Sequence, residues 1–181
     1  TKNGRWIRPV NVSLHGKKMG VIGAGAVGLK VIDLAKAFGC KVCYYDLNAI
    51  TDNKENVVRC STLEELFSTC DIVSLHLPLN IHTKHLIDAR LLDHGDNLIL
   101  VNTARGGIVH ERDLLTALEA KKVGVYLTDV LHQEPLDNTS LLYRRRDVVI
   151  TSHCGSRTKE NIENQGLEAV QNLINMLYNE K

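Results

Sequence analysis

Along the chain, short apolar runs rich in β-branched residues alternate with longer segments in which apolar residues recur every three or four positions. Lys18-Met19-Gly20-Val21-Ile22 predicts a first strand. Residues 27–38 carry Val27, Val31, Ile32, Leu34, Ala35 and Phe38 at the spacing of one helix face. Residues 41–45 read as a second strand with Asp46 at its end. A polar loop over 48–56 leads to a short third strand over 56–60. Ser61-Thr62-Leu63-Glu64 has the form of a capping box and predicts a helix through Thr69. A fourth strand is predicted over 71–77, ended by Pro78, then a helix over 83–92 and a fifth strand over 98–102. A helix over 111–122, with Leu114, Leu115 and Leu118 on one face, precedes strands over 123–129 and 147–151 and a long final helix over 158–178.

Strands that are apolar along their length, interleaved with amphipathic helices, predict an α/β fold: a doubly wound parallel sheet with helices on both faces. Ligands of such sheets bind beyond the carboxyl ends of the strands. That rule draws attention to Asp46, Pro78, Arg105, Asp129 and His153, each at or just after a predicted strand end.

The first strand-to-helix junction reads Gly23-Ala24-Gly25-Ala26-Val27-Gly28, with Asp46 closing the next strand. Glycines at this spacing, between a strand and a helix and followed by an acid about 20 residues on, form the dinucleotide-binding fingerprint. Gly23 permits the tight turn, Gly25 lets a pyrophosphate approach the backbone, and Gly28 lets helix and strand pack closely. The N–H groups near Ala26 and Val27 point at the phosphates from the positive end of the helix dipole. Asp46 is placed to accept from the adenosine ribose hydroxyls. Its charge repels a 2′-phosphate, and Leu47-Asn48 supply no arginine to hold one, so NAD is expected over NADP.

At 181 residues, the chain is one domain or slightly more, and a hydrophobic fraction of 44% suffices for a sizeable core. A net charge of +1 supplies no basic field for nucleic acid. No apolar stretch is long enough to span a membrane and nothing resembles a signal peptide. The five cysteines, Cys40, Cys43, Cys60, Cys70 and Cys154, are an odd number, which suggests reduced thiols and a cytoplasmic setting. Cys40-Lys41-Val42-Cys43 is a C-x-x-C, but Cys43 falls inside a predicted strand, and core packing is the expectation. His82 and His85 stand one helical turn apart with no third ligand at matching spacing; solvent-facing placement is expected, and no metal.

Three residues after strand ends fit the reduction of a keto acid, which needs a hydride on carbon and a proton on oxygen. His153 has the side chain suited to proton transfer near neutral pH. Glu134 is the carboxylate that would favour its imidazolium and fix the ring. Arg105 can hold a substrate carboxylate through two hydrogen bonds and polarise the carbonyl.

The chain resembles the NAD-binding domain of the D-isomer-specific 2-hydroxyacid dehydrogenase family. The resemblance is carried by Gly23 to Gly28 with Asp46, by Ser74-Leu75-His76-Leu77-Pro78-Leu79, by Asn102 to Val109, by Asp129 to Pro135 and by His153 to Thr158, in the family's order and spacing. It implies that the family's catalytic arginine, glutamate and histidine are Arg105, Glu134 and His153. By the same resemblance, Ala26 and Val27 contact the pyrophosphate and Pro78 lines the adenosine side. Thr103, Ala104 and Asp129 lie on the nicotinamide side, with His153 and Gly155 nearby, and homodimerisation through this domain is implied. Ser152 stands where the family usually has proline, Cys154 where it has an aliphatic residue, and His110 where an aspartate is common.

The chain opens at Thr1, and Gly4-Arg5-Trp6 resembles the link into the nucleotide domain. The expectation is a fragment of a longer two-domain enzyme, residues 1–181 being the NAD-binding domain, with the substrate domain absent and turnover correspondingly poor. The resemblance implies a small 2-hydroxy or 2-keto acid as substrate. The stretch after Thr158 mildly resembles phosphoglycerate dehydrogenases, and glyoxylate or hydroxypyruvate reductases stay open. A second reading from another class is an NAD(H)-sensing dimeric scaffold or co-repressor of the same fold.

Overall fold

The computed structural model describes residues 11–49, 55–137 and 139–178; the expected link at Gly4-Arg5-Trp6 and part of the polar loop over 48–56 lie outside them. Seven parallel strands form one sheet: β1 (Lys18–Ile22), β2 (Lys41–Tyr45), β3 (Val57–Arg59), β4 (Ile72–Leu75), β5 (Leu98–Asn102), β6 (Val123–Thr128) and β7 (Val148–Ile150). Their order is β3-β2-β1-β4-β5-β6-β7, with every pairing parallel. The helices are α1 (Ala26–Ala37), α2 (Leu63–Thr69), α3 (Ala89–Leu92), α4 (Glu111–Glu119) and α5 (Lys159–Tyr178). The chain reverses its winding between β1 and β4, which opens a crevice at the carboxyl ends of those two strands.

Strand alternation separates two cores. Val21, Val42 and Tyr44 pack with Ile32 and Ala35 of α1 on one face. Ile22, Val73, Leu75, Leu98, Leu100 and Tyr126 pack with residues of α2, α3 and α4 on the other. The expected doubly wound architecture is therefore present, with helices on both faces. Phe67 and Leu66 of α2 and Leu114 and Leu118 of α4 are essentially fully buried and anchor that second face. In contrast, every residue of α5 is exposed.

Several local expectations need correction. Residues 83–92 do not form one helix. His85 adopts φ 53°, donates its N–H to Gly107 O at 2.9 Å, and Ile87 makes an isolated bridge to Val109, so only Ala89–Leu92 is helical. The long-range pairing with the segment after β5 overrides local helix propensity. His85 is accordingly not a helical turn from His82 in a solvent-facing row; its ring meets His110 edge-on at 4.9 Å. The N-cap of α2 is Thr62, one residue later than the spacing predicts. Thr62 Oγ1 accepts from Glu65 N at 3.1 Å, and Glu65 Oε2 accepts from Ser61 N at 2.7 Å. On α1, Val27, Leu34 and Phe38 are mostly exposed, while Gly28, Ile32 and Ala35 make the buried face.

Candidate functional site

The strand-to-helix junction has the geometry its glycines predict. Gly23 takes φ +91° and donates to Tyr45 O at 2.9 Å, tying the ends of β1 and β2. A Cβ on Gly28 would lie 1.9 Å from Gly23 O, so α1 can start this close to β1 only with glycine there. Gly25 is the N-cap of α1 and has no side-chain cap; a Cβ there would meet nothing within 4 Å. The first intrahelical bond is Leu29 N to Gly25 O at 2.9 Å, which leaves the N–H groups of the first turn, Ala26 and Val27 among them, beside that open space. A helix start of this kind fits a pyrophosphate.

Asp46 follows β2 and faces the same turn. Its carboxylate accepts from Ala24 N at 2.7 Å and from Asn48 N at 2.8 Å. Leu47 and Asn48, its neighbours in sequence, supply no arginine. The sheet brings Arg59 from β3 alongside, where its guanidinium donates to the carbonyls of Asp46 and Leu47 at 2.8 and 3.1 Å. Arg59 thus braces the loop that carries Asp46.

A cleft of about 570 Å³ lies beyond the ends of β1, β4 and β5, lined by Val27, His76, Pro78, Thr103, Ala104 and Arg105 among others. Five of the sequence-derived positions meet here. His76 accepts or donates to Ser74 Oγ at 2.8 Å, and burial holds its imidazole below the usual range. The Arg105 loop is shaped by Asn102, fully buried at the end of β5. Asn102 Nδ2 donates to Arg105 O at 3.1 Å, and its Oδ1 accepts from Ala104 N at 3.1 Å. Asn102 was legible only as a member of a motif; its role as a strut follows from burial. Arg105 is exposed and uses one guanidinium donor on Ala104 O at 2.6 Å.

A second cleft of about 500 Å³ is lined by Asp129, Leu131, Glu134, Tyr143, Thr151 and His153 among others. Glu134 Oε2 lies 2.8 Å from His153 Nδ1. That hydrogen bond, followed by one from Leu131 N, holds the Glu134 carboxyl below its ordinary range. With Nδ1 turned to Glu134, Nε2 is the ring atom left to face a ligand. The structure thus unites Glu134 with His153. Arg105 lies in the other cleft and has no hydrogen bond to either of them among the described residues.

His153 itself sits at φ +52°, in the left-handed region. Asp129 holds the backbone around it. The Asp129 carboxylate, 9% exposed, accepts from the Thr151 hydroxyl, from Cys154 N at 3.0 Å and from Gly155 N at 2.8 Å. The Thr151 hydroxyl first, and then those backbone donors, pull its pKa down to about 2. Asp129 and Gly155, expected on the nicotinamide side, are therefore bonded to each other here, as two ends of one clamp.

Residues 1–155 match the model for the D-isomer specific 2-hydroxyacid dehydrogenase, NAD binding domain. The chain is 35% identical over 167 residues to a glyoxylate reductase of Aeropyrum pernix, covering 91% of this chain and 50% of that protein. It is 36% identical over 183 residues to the chloroplastic D-3-phosphoglycerate dehydrogenase 2 of Arabidopsis thaliana, covering 99% of this chain and 29% of that one. Its fold matches the crystal structure of an Aquifex aeolicus D-lactate dehydrogenase complexed with NAD and lactic acid at a TM-score of 0.85 and 29% identity, over 94% of this chain and 56% of that one. The chain spans about half or less of the length of these relatives.

Proposed function

Since the chain belongs to the D-isomer-specific 2-hydroxyacid dehydrogenase family, and matches its NAD-binding domain, we propose that it serves the interconversion of a small 2-hydroxy acid and its 2-keto acid. NAD(H), when bound, supplies the hydride acceptor or donor. The residues that would hold it are Gly23, Gly25, Ala26, Val27 and Gly28 at the pyrophosphate, Asp46 at the ribose, and Pro78, Thr103 and Ala104 along the cleft, with Asp129 and Gly155 toward the nicotinamide end.

The observation that carries this reading is the 2.8 Å contact between Glu134 Oε2 and His153 Nδ1 at the carboxyl edge of the sheet. Glu134, its carboxyl held below the ordinary range by the bond to His153, fixes the ring with Nδ1 toward it. His153 then gives a proton from Nε2 to the substrate oxygen in reduction and takes it back in oxidation. Arg105 binds the substrate carboxylate through its paired N–H donors and orients the carbonyl. Asp129 is a positioning residue for this step, because it fixes the backbone on both sides of His153.

The chain is read as one half of a two-domain enzyme, the other half forming the second wall of the substrate site. It pairs as a homodimer and works in the cytoplasm. Among the described residues, no helix is long and apolar enough to cross a membrane. Calorimetric titration with NADH and NADPH tests the cofactor reading: NADH binds at least about tenfold tighter, because Asp46 repels a 2′-phosphate. Absence of NADH binding, or a preference for NADPH, overturns it. Rapid reduction of glyoxylate by this chain alone would show that the site needs no second wall, and a monomer mass in sedimentation would contradict the dimer.

A further inference from the structure

Away from both clefts, three cysteines converge between the sheet and α2. Cys43 lies on β2, Cys60 follows β3, and Cys70 is the C-cap of α2. Gly20 explains how they meet. It pairs with Cys43 in the β1–β2 register, and a Cβ built on it would come within 2.6 Å of Leu66 Cδ2 and 3.0 Å of Cys70 Sγ. Without that side chain, the end of α2 settles onto β1, and Cys70 Sγ reaches 3.2 Å from Cys43 Sγ. Cys70 is 8% exposed, Cys60 is buried and Cys43 is half-buried.

We propose that Cys43 and Cys70 are a reversible oxidation site, a dithiol that a small hydroperoxide converts to an intramolecular disulfide. Neither thiol takes part in the proposed hydride transfer. Burial selects the oxidant class: at 8% exposure Cys70 leaves little room for a bulky disulfide, whereas a small hydroperoxide needs little opening. Cys70 is the attacking sulfur. The hydrogen bond from Cys43 lowers its thiol most, and Thr69 and Lys18 add to that, against the opposing effect of burial. Cys43 is the weaker acid, its thiol raised by the same hydrogen bond and by burial.

The Cys70 thiolate attacks one peroxide oxygen, the O–O bond breaks, and an alcohol or water leaves, forming a sulfenic acid on Cys70. The Cys43 sulfur then attacks the Cys70 sulfur. The S–O bond breaks, and the oxygen departs as water with the Cys43 proton. Two thiols lose two electrons and two protons, and the hydroperoxide takes them up to become alcohol and water. The closed link joins β2, just before Asp46, to the end of α2.

The test treats the folded chain with hydrogen peroxide, alkylates the remaining thiols and maps the digested peptides by mass spectrometry. Cys60 and Cys70 share a tryptic peptide, so a Cys60→Ser variant runs beside the wild type. Two of the five thiols should disappear into a link between Cys43 and Cys70 within one chain. The link should persist in Cys60→Ser, be absent in Cys70→Ser and reverse with dithiothreitol. The oxidised protein should melt roughly 5–10 °C higher. Free Cys43 and Cys70 after the exposed Cys154 has been consumed would overturn the proposal. So would a link from Cys43 to Cys60, or cross-linking only between chains.

Discussion

Replacing Asp129 by asparagine tests the clamp around His153. The carboxylate accepts four hydrogen bonds, from the Thr151 hydroxyl, from the backbone N–H groups of Cys154 and Gly155, and from the Cys154 thiol at 3.7 Å. These lower its pKa from 3.8 to about 2. One pKa unit corresponds to about 1.4 kcal/mol, so the folded state favours the ionised form by about 2 kcal/mol. Asparagine keeps the shape but offers one acceptor oxygen, and its NH₂ faces a donor. The variant should be less stable by about 2 kcal/mol at neutral pH and melt about 4–8 °C lower. The sign of the pH dependence follows from the folded pKa lying below the unfolded one. The wild-type contribution is complete above the unfolded value of 3.8 and is lost as pH falls toward about 2. The variant has no group titrating there, so the stability gap should narrow across that window. Urea unfolding of both proteins at neutral pH and at about pH 3 measures it. A gap below about 0.5 kcal/mol at neutral pH, or one that stays constant into acid, would refute the clamp.

Two glycines separate packing from binding. Gly25→Ala meets nothing within 4 Å and should fold normally while losing roughly tenfold or more in NADH affinity by calorimetry; unchanged affinity would remove the pyrophosphate from this turn. Gly28→Ala puts a Cβ 1.9 Å from Gly23 O and should cost about 3 kcal/mol or more in urea unfolding, because backbone must move. Phe67→Ala, at a side chain 1% exposed, should destabilise by about 3–5 kcal/mol in the same assay; under about 1 kcal/mol would mean that face is not a packed core. Where turnover can be measured, Glu134→Gln should lower kcat by about 10²-fold or more with KM for NADH little changed, and an unaltered kcat would dismiss the pair.

Much of this protein was readable in one dimension. The first strand–turn–helix and Asp46 were legible because a glycine's missing Cβ at a strand-to-helix turn and an acid at the next strand end carry meaning by their spacing alone. The ligand edge was legible because in a parallel sheet every strand ends on the same side. Failures occurred where distant segments decide. Residues 83–92 have helical spacing, yet Ile87 pairs with Val109 across the chain. Arg59 reaches the Asp46 loop only because β3 lies beside β2.

The same division holds for the chemistry. Residue types and spacing determined which side chains could bind a dinucleotide, hold a carboxylate or move a proton. Only the tertiary structure decided that Glu134 takes Nδ1 of His153 and leaves Nε2 outward, that Asp129 clamps the backbone around it, and that Gly20 lets Cys70 come to rest against Cys43. Those are contacts between strands and loops far apart in sequence, set by sheet order and by the packing of α2, and no local pattern encodes a distance across the sheet.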